Sequence, residues 1–274
     1  MKRLAPLLLL ALLAAACGRR PRPLAPAAPL RSATLAQLVS SFNQDADAIH
    51  SMSLKLDLSA QAGKYKYPKI TAYLLIRKPS DIRLWGTFTF LGKLFDMASN
   101  GQQFELSLPT RNQFIIGRNN VIPEKASNPL EKLRPQVILN ALLTNAIPAG
   151  DSVALDPGAP AATYQVLVLS RAGDHRQRLL RRITFSRYDL LPHRQDIYDG
   201  DGIHLTEANY NNFTIRDNLP IPTDITIVRP VEGYSLRLHL VPTGITLNQP
   251  FTAPNTFQLS APPGAAVITV GDRK

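Results

Sequence analysis

Histidines, clustered acids and a run of arginines are the side chains through which this chain could do chemistry. The five histidines are His50, His175, His193, His204 and His239, and none falls in HExxH or another metal-ligand spacing. His193 and His204 can approach across a hairpin, and they read as two surface histidines rather than a zinc site. Asp196, Asp199, Asp201 and Glu207 are oxygen ligands of the kind calcium takes, but their spacing fails the EF-hand loop. Asp199-Gly200-Asp201-Gly202 reads instead as a hairpin turn. There is no GxSxG elbow and no glycine loop to cradle a phosphate. The expectation is no enzyme, no cofactor and no metal. The arginines Arg171, Arg176, Arg178, Arg181, Arg182, Arg187 and Arg194 face only Asp174 and Asp189 in the same stretch. On a hairpin they would alternate outward, with Arg176, Arg178, Arg181 and Arg182 at the centre of a basic patch. Such a patch suits docking to anionic head groups or to an acidic carrier. It equally suits a solvated face that keeps a sheet edge from aggregating.

The lone cysteine, Cys17, has a different context. Lys2 and Arg3 precede the apolar run Leu4–Ala16, which has the layout of a secretory signal and is too short to cross a bilayer. Leu13-Ala14-Ala15-Ala16-Cys17 resembles the lipobox of bacterial lipoproteins, with one extra alanine. The resemblance implies removal of residues 1–16 and acylation of Cys17, which rules out a cysteine nucleophile. A mature chain tethered by two or more acyl chains is stably held at a membrane outside the cytoplasm. Gly18, in place of the aspartate that retains many enterobacterial lipoproteins, favours the outer membrane with the domain in the periplasm. That sorting rule varies between bacterial groups, and the inner membrane stays open. Residues 17–31 read as the lipidated cysteine and a Pro/Ala/Arg linker.

Without Lys2 and Arg3, 29 basic residues stand against 20 acidic ones, a net charge of +9. A basic surface suits anionic membranes or acidic partners. Nucleic acid is excluded by compartment and by the lack of a motif. With 45% apolar residues the chain can build a core, and without a disulfide that core must come from burial and hydrogen bonding.

Ser32–Ile49 has helical apolar spacing through Leu35, Leu38, Val39, Phe42, Ala46 and Ile49, with Ser32 or Thr34 to cap it. From Met52 the period becomes two, and six strands follow to Gly117, with Asn100-Gly101 as a turn. Asn128–Leu143 reads as a second helix with Pro129 at its start, kinked or divided at Pro135. Residues 144–162 read as loop, and strands resume from Thr163 to Val241 with a last segment over Phe257–Val270. The expected fold is mainly β with some α. About 11–12 strands form one strongly curved antiparallel sheet, an incomplete barrel closed by helices, over residues 32–270, with a short tail at 271–274.

This order resembles the LolA/LolB-like lipoprotein carriers and acceptors. Three stretches carry the resemblance: Arg83-Leu84 through Phe90-Leu91-Gly92 to Asn100-Gly101; Leu191-Pro192-His193 through Asp199–Gly202 to Tyr210; and Asn248 through Phe257 to Pro263–Ile268. The resemblance implies an apolar cavity for acyl chains and a role in lipoprotein or lipid transfer to the outer membrane. Expected partners are membrane lipid, a lipidated client and a soluble periplasmic carrier, with the chain itself a monomer. It also implies a protruding loop over Phe90–Phe95, where Leu91 and Leu94 would enter the bilayer and Lys93 would meet phosphate. Tyr73, Trp85, Phe88, Phe104, Leu106 and Phe114 are the cavity candidates, if alternation puts them on one face. Ordinary core accounts for the same residues. A scaffold or sensor module of an envelope complex is the alternative to a carrier.

Overall fold

The computed structural model describes residues 28–88, 90, 92–121, 132–143, 145–171 and 177–270. The signal, the lipobox and most of the linker lie outside the described residues, as do Asn128, Pro129 and the tail at 271–274. The folded unit begins at Arg31. Residues 28–30 have no regular structure.

Helix α1, Leu35–Ala48, begins in a capping box. Thr34 Oγ1 accepts from the Gln37 amide at 3.2 Å, and Gln37 Oε1 accepts from the Thr34 amide at 2.9 Å. Its apolar stripe buries Leu38, Phe42 and Ala46. The strands are β1 (Ser51–Ala62), β2 (Tyr65–Arg77), β3 (Asp81–Phe88), β4 (Gly92–Ser99), β5 (Gln103–Leu108) and β6 (Gln113–Arg118), then β7 (Ser152–Leu155) and β8 (Thr163–Arg171). They continue as β9 (Gln177–Ser186), β10 (Pro192–Tyr198), β11 (His204–Arg216), β12 (Leu219–Arg229), β13 (Tyr234–Leu247) and β14 (Ala266–Val270). Helix α2 is Pro135–Leu142. Pro135 does not kink this helix; it starts it, at the position where a missing N–H costs nothing.

The 14 strands among the described residues form one open sheet, ordered β14-β6-β5-β4-β3-β2-β1-β13-β12-β11-β10-β9-β8-β7. Every neighbouring pair is antiparallel except β14 with β6, which is parallel. The strand count exceeds the expected 11–12. β7 arises inside the stretch read as loop, where Ser152–Leu155 pairs with Val166–Leu169. The segment over Phe257–Val270 is strand only from Ala266.

Bulges bend the sheet at Leu54–Leu56 of β1, at Leu58–Ala60 and beside Gly86. At Gly86 a Cβ would lie 2.5 Å from the Phe95 ring, and at Gly117 2.5 Å from the Phe104 ring. Each glycine faces its aromatic as a cross-strand partner, so the ring occupies the space a side chain would take.

The inner face carries the helices. Met52, Leu54 and Leu56 of β1, Leu74 and Ile76 of β2, and Leu236, Leu238 and Leu240 of β13 join Ile138, Leu139 and Ala141 of α2 in the main core. A smaller cluster sets Leu38 and Phe42 of α1 on Val166, Val168, Ile183 and Phe185.

The outer face is crossed by residues 249–265 on their way from β13 to β14. Thr256 O accepts from Arg83 Nη1 at 3.2 Å, and Glu105 Oε2 accepts from the Leu259 amide at 2.6 Å. Beneath lies Asp96, which receives Arg83 at 2.9 Å and Lys93 at 2.6 Å. Burial alone pushes the Asp96 carboxyl up, but the hydrogen bonds from Arg83 and Lys93 override it and hold the group below the usual carboxylate range. A depressed folded-state pKa means stability that is present above the unfolded value of about 3.9 and lost as pH falls through the lower folded value. The melting-temperature gap between the parent and Asp96→Asn is therefore expected to be open at pH 7 and to close below about pH 4. A gap that stays constant down to pH 2 would refute the assignment.

Candidate functional site

The inner face and the helices do not meet everywhere. Between α1, the end of α2 and strands β1, β11, β12 and β13 lies a cavity of about 80 Å3. Phe42 and Ala46 come from α1 and Ala141 from α2; Met52, Ile225 and Leu240 come from the sheet. Tyr210 fixes one wall. Its hydroxyl donates to Ala141 O at 2.9 Å and accepts from Gln195 Nε2 at 2.9 Å. Full burial pushes this phenol above its usual range, so it stays neutral and ties α2 to the sheet. Behind Phe42, the Arg181 guanidinium stacks at 5.4 Å and donates to Asn145 O at 2.9 Å. Burial lowers its pKa, and arginine remains charged all the same.

The mouth is polar. Ser41 is exposed, and Asp45 and Lys78 are half-buried. Lys78 Nζ donates to the carbonyl of Ala46, near the C-terminal end of α1 where a cation is favoured. Burial lowers the Lys78 pKa, against a rise from Asp47. Burial raises that of Asp45.

At the other end of β3, away from Lys78, is the loop to β4. Phe88 is 40% exposed and Phe90 is 91% exposed. Phe90 is the apolar tip. Of the residues singled out from sequence, Leu91 lies outside the described residues, Leu94 is half-buried, and Lys93 is engaged with Asp96. Two apolar residues either side of Thr89, at the point where alternation breaks, were the signal for Phe90.

The six cavity candidates do not share a face. Tyr73 and Trp85 are cross-strand partners whose rings stack at 5.3 Å, on the face opposite Leu74 and Leu84. Phe114 pairs with Ser107, which pairs with Asp96, so it too faces outward. Phe88, Phe104 and Leu106 face inward, but Phe104 lies under the Arg134 guanidinium at 5.0 Å and none of the six lines the cavity. The cavity is lined instead by aliphatic residues and by a different set of aromatics, Phe42, Phe185, Tyr210 and Phe213, from α1 and the second half of the sheet.

The basic cluster is also divided. Arg176 lies outside the described residues. Arg181 points inward under α1, because it shares the face of the buried Ile183 and Phe185 and sits opposite the buried Val168. Arg182 sits opposite Asp196, and Arg178 Nη1 donates to Gly200 O at 2.7 Å. His193 binds Asp189 at 2.8 Å, while His204 lies 2.9 Å from Asp196, so the two histidines do not come together. Asp199 accepts from the amides of Asp201 and Ile203 at 2.9 and 2.8 Å, as a hairpin turn requires. Among the described residues no group of three His, Cys, Asp or Glu is placed to hold a metal.

No family model matches the sequence, and no curated protein matches it either. Solved structures do. A DUF1329 family protein from Desulfovibrio piger is similar at 15% identity and a TM-score of 0.51, over 78% of this chain and 92% of its own. LolA superfamily protein NE2245 from Nitrosomonas europaea is similar at 13% identity and a TM-score of 0.49, over 78% and 94%. An outer membrane lipoprotein-sorting protein domain from Vibrio parahaemolyticus gives 9% identity and 0.46, over 80% and 94%. The architecture expected from the sequence, one open, curved sheet with helices on its inner face, is the one found.

Proposed function

We propose that this chain is a non-enzymatic lipoprotein of the cell envelope, anchored through acylated Cys17, that binds an acyl chain between its helices and its sheet. The domain would begin near residue 32 and work in the periplasm, moving lipid or a lipidated client toward the outer membrane as a monomer. The observation that carries this reading is the apolar cavity between α1, α2 and the sheet. An open sheet with helices laid on it can widen there without breaking a strand pair. The cavity is well below the roughly 300 Å3 at which ligand sites begin, so an acyl chain must lift α1 as it enters.

The same small volume favours a second reading, a scaffold or sensor module that carries no lipid. Native mass spectrometry of the chain from Gly18, followed by titration with a fluorescent acyl probe, separates them. Bound lipid or saturable probe binding supports the carrier. Neither leaves the scaffold.

The exposed Phe90 tip supports membrane contact at the end of the sheet away from the cavity mouth. Burying a phenylalanine contributes about 1.5–3 kcal/mol. Phe90→Ser in the chain from Gly18 is expected to weaken partition onto anionic vesicles about tenfold or more. Co-sedimentation at equal lipid checks it, and unchanged partition would remove Phe90 from the contact.

A further inference from the structure

Two charged side chains stand in the lining of a cavity that is otherwise almost wholly apolar, and their bonding is incomplete. Asp45 is half-buried on α1, one turn after Ser41, and among the described residues its carboxylate has no hydrogen bond or ion pair. A half-buried carboxylate without a donor loses hydration and gains nothing in return. Lys78, in the turn between β2 and β3, uses one of its three N–H donors on the Ala46 carbonyl. The carboxylate whose charge acts on it is Asp47. Both charges line the one cavity without pairing with each other.

We infer that this rim is a head-group site, and that it takes a phospholipid whose head carries both a phosphate and a primary ammonium. The reading rests on the cavity being the acyl site. One chain would run inward past Phe42, Ala46 and Leu240. The phosphate would meet the free N–H groups of Lys78, the ammonium would meet Asp45, and Ser41 would donate to a phosphate or ester oxygen. A head whose only charge is its phosphate would satisfy Lys78 but bring no cation to Asp45. A quaternary ammonium brings the charge without an N–H to donate. Charge complementarity thus selects phosphatidylethanolamine over phosphatidylglycerol and phosphatidylcholine.

The test is competition on the whole mature chain in detergent, offered phosphatidylethanolamine and phosphatidylglycerol of the same acyl composition in equal amounts and read by native mass spectrometry. The parent is expected to favour phosphatidylethanolamine about tenfold, the effect of one charge-assisted hydrogen bond of about 1.4 kcal/mol. Asp45→Asn should bring the ratio close to one. Lys78→Gln should weaken both lipids, and Lys78→Arg should restore them. Because Asp45 has no partner to lose, Asp45→Asn should melt no lower than the parent, whereas a structural carboxylate would melt lower. Equal binding of both lipids by the parent, or an unchanged ratio in Asp45→Asn, overturns the head-group assignment and leaves the acyl site standing. No bound lipid of either kind overturns both.

Discussion

Arg229→Ala is expected to lower the unfolding free energy by about 3–5 kcal/mol, or the melting temperature by roughly 6–20 °C for a chain of this size. Arg229 and Glu232 are 8% and 7% exposed, at the turn between β12 and β13. Arg229 Nε donates to Glu232 Oε2 at 2.9 Å, its Nη2 donates to Oε1, and its Nη1 donates to Thr206 Oγ1 at 2.6 Å. Removing the guanidinium leaves a buried carboxylate and a buried hydroxyl without their donor, and that cost dominates. The pair itself need not stabilise the fold, since two charges lose their hydration to make it. Arg229→Met with Glu232→Leu should therefore recover most of the loss, as replacement of a whole buried pair by apolar residues often does. Thermal melts of the two variants decide this, and a double variant as unstable as the single one would contradict it.

Ala46→Phe is expected to reduce acyl-probe binding tenfold or more while leaving the chain folded. Ala46 lies on the buried face of α1 and lines the cavity at 5% exposure. A phenyl ring projected from that site fills the space the acyl chain needs. Overpacking would cost about 1–3 kcal/mol, small beside the loss of the binding volume. The carbonyl that receives Lys78 belongs to the backbone and survives the change. Unchanged probe affinity in a folded Ala46→Phe would place any acyl site elsewhere.

The fold was legible because its signal is local and repeated. Leu54, Leu56 and Leu58 announce an inner face, and their neighbours Lys55 and Asp57 an outer one; both assignments follow from period two. The helix α1 was legible for the same reason, with Thr34 and Gln37 completing its start. The site was not, because it depends on register. Tyr73 and Phe104 look alike in sequence, yet they lie on opposite faces, since each strand's parity is set by turns and bulges that sequence does not count. β7 is four residues long and pairs only with β8, too short to show alternation. Pro135 marked the right place, but a proline at a helix start and one in its interior read the same until the neighbouring chain is placed. Asp45 sits on the flank of an apolar stripe, where an acid is ordinarily solvated, and only the overlying turn at Lys78 makes it part of a rim.

The parallel pairing of β14 with β6 sets an order on assembly. Strands β1 to β6 are made first and can zip up as neighbours, but the outer edge of β6 has no cover until residues 266–270 arrive. The central seam between β1 and β13 spans still more of the chain, joining residues 51–62 to 234–247. Both closures span most of the chain, and contacts so distant in sequence form slowly. A newly made molecule therefore presents a bare apolar strand edge for about half of its synthesis, which makes the interval before the last segment emerges the time at which it most needs a chaperone.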